Sequence, residues 1–471
     1  MFSIILFHVH STAIKPANTQ IIKMVNPKKS NKSTAIHKDK FLEKAIKGFM
    51  ENNYEIMSIQ ENLKAVMYDY NKERGHLLPS VDLKSNLVNE ENSEIRSNPR
   101  SNMTSLNYGF EVGYTLFDGF SLLNRVRSKD FEVQAKLYEG LGKISKKIFE
   151  FIKLIINIQK NEMLLESTKR DVDRKKKMYT EAQNRVAVGA SGKQDEFQAR
   201  AVLNESEGKL SDVQDDFKNA KRQFAEWTGM KYEKMPLLGI PEEILSNLDE
   251  FEKHLSKTNF DILAAQASMR AAEKNQKSIN SKLFSPKLRV GINAGNSIVK
   301  GWKEKEKYSE NYPKETQSNL STKLEGSINL WSGGSDKAEA LGAGKQAKAA
   351  RQEFYSAAQD TKINFQNTRE KFISAQDDQR LCTCVVNDYR KSYDIAMDKY
   401  KMGAISFNEL SELSYRLYNA EQILIRKESE RCESAWELTK IVGSLTPQKL
   451  CNTLSETFDP ISDYNKVKSS I

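Results

Sequence analysis

The chain repeats itself. Leu116-Phe117-Asp118-Gly119 returns 214 residues on as Leu330-Trp331-Ser332-Gly333, and Gly189-Ala190 returns at the same offset as Gly403-Ala404. Trp227-Thr228-Gly229 against Ile441-Val442-Gly443 keeps 214 a third time. Upstream, Pro79 matches Pro286 at 207, and Asn53-Tyr54-Glu55-Ile56 matches Asn259-Phe260-Asp261-Ile262 at 206. The second copy therefore holds about seven extra residues between its Pro and its Leu-aromatic motif, where a loop belongs. Internal repetition of this kind is a tandem duplication of one structural unit. The copies are read as 41–230 and 249–445, with 231–248 a linker and 446–471 a C-terminal tail. Residues 1–40 are read as an export segment and lead-in. Phe2–Val9 is a short apolar run before small residues, without a basic start, and a Lys-rich polar stretch follows.

Within each copy the hydrophobic period switches. Leu106, Tyr108, Phe110, Val112, Tyr114 and Leu116 alternate with polar or small residues, the period of two that marks a strand with one apolar face. Leu320, Thr322, Leu324, Gly326, Ile328 and Leu330 repeat the pattern, and a shorter partner follows the Pro in each copy. Four strands are expected, at about 80–88, 105–117, 287–295 and 319–331. Beyond Gly119 and Gly334 the period becomes helical: Ile144, Ile148, Phe151, Ile155 and Ile158 step by four and three. Leu210, Val213, Phe217, Ala220, Phe224 and Trp227 form a heptad seam. From about 120 to 186 a single helix would run on the order of 100 Å. A turn at Val188–Gly192, and its copy at Met402–Ser406, sends the chain back.

Composition narrows the classes. No run of 18 apolar residues occurs, which excludes a bundle of membrane-spanning helices. Ten Pro and 22 Gly in 471 residues suit long uninterrupted elements. The excess of 73 Lys and Arg over 63 Asp and Glu is interspersed, as at Lys169–Lys177 beside Asp171 and Asp173. Such mixing reads as a solvated helix face and not as a nucleic-acid patch. The four cysteines and five histidines lack metal-site spacing, and Gly342–Lys345 lacks the pattern of a phosphate loop, so neither an enzyme nor a cofactor is expected.

Four amphipathic strands cannot close a barrel, for which about eight is the minimum, and an open sheet edge is not tolerated in lipid. Three chains would supply twelve strands and a closed wall. The expected fold is therefore mainly α with a small membrane β-barrel portion, built from duplicated helix–strand–strand–helix units. Leu77-Leu78-Pro79-Ser80-Val81-Asp82-Leu83, Leu116–Gly119 and Tyr400–Leu410 resemble the TolC outer-membrane efflux family. The resemblance implies a homotrimer with a twelve-stranded barrel in the outer membrane of a Gram-negative cell and a long periplasmic α-barrel. It further implies a passive exit duct for type I secretion or drug efflux. Its partners would be a periplasmic membrane-fusion adaptor, an inner-membrane ABC or RND-type transporter and outer-membrane lipid. A soluble or membrane-surface coiled-coil scaffold is the alternative reading.

The same resemblance places a periplasmic gate at the two helical turns. It assigns Gly189 and Gly403 to the tip, Tyr400 to gate bonding, and Asp195, Glu409 and Glu412 to acidic positions lining a constriction, where rings of carboxylates favour cations. The family's basic gate residue is replaced here by Ile405, which leaves the latch open to another residue. At the strand–helix junctions, Phe117 and Trp331 are expected to pack, while Gly119, Gly333 and Gly334 turn the chain. Asp118 and Ser121, or Ser332 and Ser335, are candidate N-caps.

Overall fold

A computed structural model describes residues 40–92, 101–235, 237–241, 245–283, 285–305 and 308–446. The export segment, the C-terminal tail and Cys451 lie outside the described residues. The first repeat contains α1 (Lys40–Asn52), α2 (Tyr54–Gly75), β1 (Ser80–Asn92), β2 (Ser101–Phe117), α3 (Ser121–Ala187) and α4 (Lys193–Thr228). The second contains α5 (Leu248–Thr258), α6 (Phe260–Asn280), β3 (Lys287–Lys305), β4 (Tyr308–Ser327), α7 (Ser335–Lys401) and α8 (Phe407–Ile441). Both α3 and α7 have 67 residues, on the order of 100 Å of helix.

The repeated starts have repeated chemistry. Asn53 caps α2 by accepting from the amides of Glu55 and Ile56 at 3.0 and 3.1 Å. Asn259 caps α6 by accepting from Asp261 and Ile262 at 2.9 and 3.1 Å. Asp118 accepts from the Leu122 amide at 2.7 Å and Ser332 from the Asp336 amide at 3.3 Å. The other two cap candidates are used differently: Ser121 is buried against Ser278 at 3.2 Å, and Ser335 donates to the Ser332 carbonyl at 3.0 Å.

The strands form one antiparallel sheet in the order β1-β2-β3-β4, so β2 against β3 joins the repeats. The ladders place Leu83, Phe110 and Ala294 side by side, with Leu320 next to Ala294. This face is apolar and stays exposed: Leu83 is 72% and Phe110 58% accessible. The other face carries Asp82, Lys84, Glu111, Arg289, Lys323 and Glu325, with Lys84 paired to Glu111. A sheet dry on one side in water would bury that side, so the apolar face is the lipid side.

Strand ends differ from the expected ones. β1 continues to Asn92, and β3 and β4 run through residues that no longer alternate, because ladder hydrogen bonds persist where the side-chain pattern stops. β4 ends at Ser327 and not near 331, since its partner runs out at Lys287 and Pro286 has no amide to donate. At 13 to 20 residues each, the strands exceed the about 9–11 that cross a bilayer.

The helices lie in one layer. Near the sheet, neighbours run α2, α3, α6, α7; away from it they run α4, α3, α8, α7. Between these zones the period-3.6 stripe of α3 packs under α1 and α4. Ile144, Ile148, Phe151, Ile155 and Ile158 are all 0–1% exposed there, and Phe49 stacks on Phe151 at 4.7 Å. In both zones α3 is interior and α7 is an edge.

Candidate functional site

The two tip turns have the same backbone. Gly189 and Gly403 hold φ of 75° and 77°. The amides of Ala190 and Ala404 close back onto the carbonyls of Arg185 and Lys399 at 2.8 and 2.9 Å. Such a helix end needs a left-handed residue just past the last turn, which glycine adopts without strain. α4 and α8 then start with acids in their first turns, Asp195 and Glu196 in one and Glu409 in the other, which suit the positive end of a helix. Ser191 donates to Asp195, and Ser406 accepts from the Glu409 amide at 3.3 Å.

What joins the turns is Arg185, which the sequence reading did not single out. Its guanidinium donates to the Tyr400 carbonyl and, at 3.4 Å, to that of Ala190. It also lies over the Tyr400 ring, 4.6 Å from the centroid. Tyr400 is buried, edge-on to Phe407 at 6.0 Å, and its hydroxyl has no hydrogen-bond partner among the described residues. Burial and then the negative charge of Asp195 push that hydroxyl's pKa up, against the pull of Arg185. A second tie is the 2.6 Å bond from Gln198 Nε2 to Asn408 Oδ1. Gly189, Asp195, Tyr400 and Gly403 thus meet at one end of the molecule. Glu409 and Glu412 stand exposed on α8, Glu412 paired with Arg416 at 2.8 Å. Ile405 is half-buried in the apolar tip cluster.

Above the tip, the Lys169–Lys177 stretch is the expected solvated charged face at Lys169, Arg170, Asp173, Lys176 and Lys177, all exposed, and departs from it at Asp171 and Lys175. Asp171 is 0% and Lys175 4% exposed. Asp171 binds Lys175 at 2.8 Å and accepts from Ser206 of α4 at 3.0 Å. Arg174 reaches from Asp171 to Glu421 of α8, 3.4 Å from each, and Ser167 donates to Glu421 at 2.8 Å. Arg390 of α7 approaches Glu421 at 3.3 Å. Burial drives the Glu421 carboxyl's pKa up, but Arg174, Ser167 and Arg170 together outweigh it and hold the group below its ordinary value. Tyr393 beside this node is pushed up to about 12 by burial. The node locks α3, α4, α7 and α8 together. A lone charge run gives no sign of it, because the partner lies some 250 residues away.

At the strand–helix junctions, Gly119 and Gly333 have φ of 72° and 67° and Gly334 has 87°. Phe117 packs edge-on against Phe120 at 5.5 Å. Trp331 corrects the expected packing: it is 83% exposed, because β4 has already left the ladder.

The outer membrane efflux protein family matches residues 45–230 and 253–444. The chain belongs to that family. Its place is the Gram-negative outer membrane with helices extending into the periplasm, and its role is that of an efflux duct. Among the described residues no helix is long and apolar enough to cross a membrane. Solved structures share the fold at low identity. The CmeC outer membrane channel of Campylobacter jejuni has a TM-score of 0.72 at 13% identity, over 93% of this chain and 92% of that one. The open MtrE outer membrane channel of Neisseria gonorrhoeae has 0.67 at 17%, over 86% and 89%. A membrane protein from Pseudomonas aeruginosa has 0.73 at 13%, over 86% and 90%. A comparison with curated proteins finds no match.

Proposed function

We propose that three copies close into a single duct, the outer-membrane exit of a tripartite assembly for drug efflux or type I secretion. A periplasmic adaptor and an ABC or RND-type pump at the inner membrane would complete it. The observation that carries this is the unequal covering of two equal helices. Away from the sheet α3 is held between α4 and α8, whereas toward the tip its copy α7 packs on α8 alone among the described helices. A groove of about 250 Å³ lies open along the seam of α7 with α8, lined by Cys382, Val385 and Tyr389 on one helix and Arg416, Asn419, Ala420 and Ile423 on the other. The repeat says what fills it: α8 covers α3, so α4 of a neighbour covers α7. The free edges of β1 and β4 join by the same step. Gly189, Asp195, Tyr400, Gly403, Glu409 and Glu412 then ring the axis at the closed end, with Arg185 as the latch that Ile405 does not provide. Residues 41–230 and 249–445 act as the two staves each chain contributes.

The test uses a native thiol. Thr168 meets Tyr418 at 3.3 Å, and their repeat counterparts are Cys382 and Asn204. With Cys384, Cys432 and Cys451 replaced by Ser, Asn204→Cys should cross-link to Cys382 of a neighbour through a short bismaleimide. The products should form a ladder ending at three chains. Cross-linking only within one chain, or no pore conductance from the purified protein in planar bilayers, would overturn the reading.

A further inference from the structure

Phe120 has φ 64° and is the one non-glycine residue of positive φ among the described residues. Its copy in the second repeat is Gly334, which holds the same turn without a side chain. A bulky residue in this region is strained, and strain that persists with the ring 61% exposed points to a partner outside the chain. The bulge between Thr115 and Phe117 sets Phe117 opposite Leu288, on the apolar face of the sheet. Phe120 leans on Phe117 and therefore lies on the lipid side, where the strands end.

Seven residues further, two turns into α3 and about 10 Å deeper, is the exposed Arg127. α6 runs antiparallel beside it, fixed by Ser121 against Ser278 at 3.2 Å and by Ser128 donating to the Ala271 carbonyl at 2.8 Å. That register sets Lys274 opposite Arg125 and Lys277 opposite Leu122, so the two lysines lie between the levels of Phe120 and Arg127, with Lys274 close to both Lys277 and Arg127. Burial lowers the Lys274 pKa, and repulsion from Lys277 and Arg127 lowers it further. None of the three cations has a carboxylate within ion-pairing distance among the described residues, and the nearby Glu273 is held by Arg351 at 2.6 Å. The opposite face of α3 is matched throughout, with Lys129 on Glu132 and both Lys136 and Lys143 on Glu139. The seam also sits mid-layer, away from the α2 and α7 edges where neighbours attach.

We propose that Phe120, Arg127, Lys274 and Lys277 form a headgroup site for an anionic phospholipid of the periplasmic leaflet. The three cations meet the phosphate and the ring lies among the upper acyl carbons. This rests on the placement of the sheet in the membrane and goes beyond the duct reading. The full chain is reconstituted in phosphatidylethanolamine vesicles carrying spin-labelled phosphatidylglycerol or phosphatidylcholine. Wild type should hold the anionic label with a preference of roughly tenfold. Arg127→Gln with Lys274→Gln and Lys277→Gln should abolish that preference, and Phe120→Gly should weaken it. Lys129→Gln with Lys136→Gln and Lys143→Gln, which removes the same charge from the paired face, should leave it intact. No preference in wild type, or equal loss in both triple variants, would overturn the site. Pore conductance is read in parallel. Lipid preference without conductance would strike the duct reading alone, and conductance without preference would strike this site alone.

Discussion

α3 and α7 descend from one helix and keep one length, yet their surfaces have been solved in opposite chemistries. Where α3 carries Thr168, Asp171 and Lys175, all buried, α7 carries Cys382, Val385 and Tyr389 at the repeat positions and leaves them on an open groove. Ser206, which bonds Asp171, becomes Ala420. The interior copy meets its cover, α8, within the same chain, so charges can be paired as the chain folds. In the proposed duct the edge copy meets its cover only on assembly, and a mostly apolar groove, whose one cation Arg416 is already paired with Glu412, gains by desolvation with no new buried charge to match.

The sharpest break of that contrast is to put charge on the edge. Leu381→Asp with Val385→Asp should leave the single chain folded, because both side chains are exposed in it. In an assembly each carboxylate would lose its water without a partner, a cost of several kcal/mol. Trimers that resist detergent should disappear from gels and from mass measurement in solution. Trimers of unchanged stability would mean that this groove faces no neighbour.

The converse is to remove charge from the interior. Glu421→Gln leaves Asp171 as the one carboxylate for both Arg174 and Lys175 and should destabilise the fold by about 2–3 kcal/mol, read from denaturant midpoints. The sign with pH follows from the depressed carboxyl. Folded Glu421 titrates below its ordinary 4.5, so its contribution is complete above that pH and is lost as pH falls through the folded value. The acid-side loss of stability should be larger in wild type than in Glu421→Gln, and parallel acid limbs would show that Glu421 is not the group responsible.

Legibility in the sequence follows the range of the interaction. The period of two in β2, the heptad stripe of α4 and the glycines at 189 and 403 are local signals, and each shows in the fold where it was read. The node was not legible. Asp171, Arg174 and Lys175 carry the same letters as a solvated helix face, and only contact with Ser206 and Glu421 distinguishes them. Arg185 was hidden among other cations for the same reason. Its repeat partner Lys399 is exposed, so the duplication gave no hint that one of the pair bonds across the two turns.

That pair supplies the next test. Arg185→Ala removes the cation over Tyr400 and its carbonyl bonds, about 1–2 kcal/mol, and should raise the resting conductance of the pore. Lys399→Ala should change neither conductance nor stability by more than about 0.5 kcal/mol. Tyr400→Phe separates ring from hydroxyl. Because that hydroxyl has no partner among the described residues, a Tyr400→Phe variant that conducts more than wild type would place a bonding group of a neighbour or of ordered water at Tyr400.

The smallest expected effect lies at the first residue pair after the sheet. Phe120 and Gly334 hold φ of 64° and 87° at equivalent turns, so the backbone strain differs while the geometry does not. Phe120→Gly should raise stability in detergent by about 1 kcal/mol, less whatever the contact with Phe117 contributes. Gly334→Ala should lower it by a similar amount, since no atom lies within 4 Å of the added carbon and only the backbone resists. If both changes were neutral, the left-handed turn would be tolerated equally by either residue. The aromatic at 120 would then need no outside partner to account for it, and the contrast between the two junctions would reduce to their length and their loops.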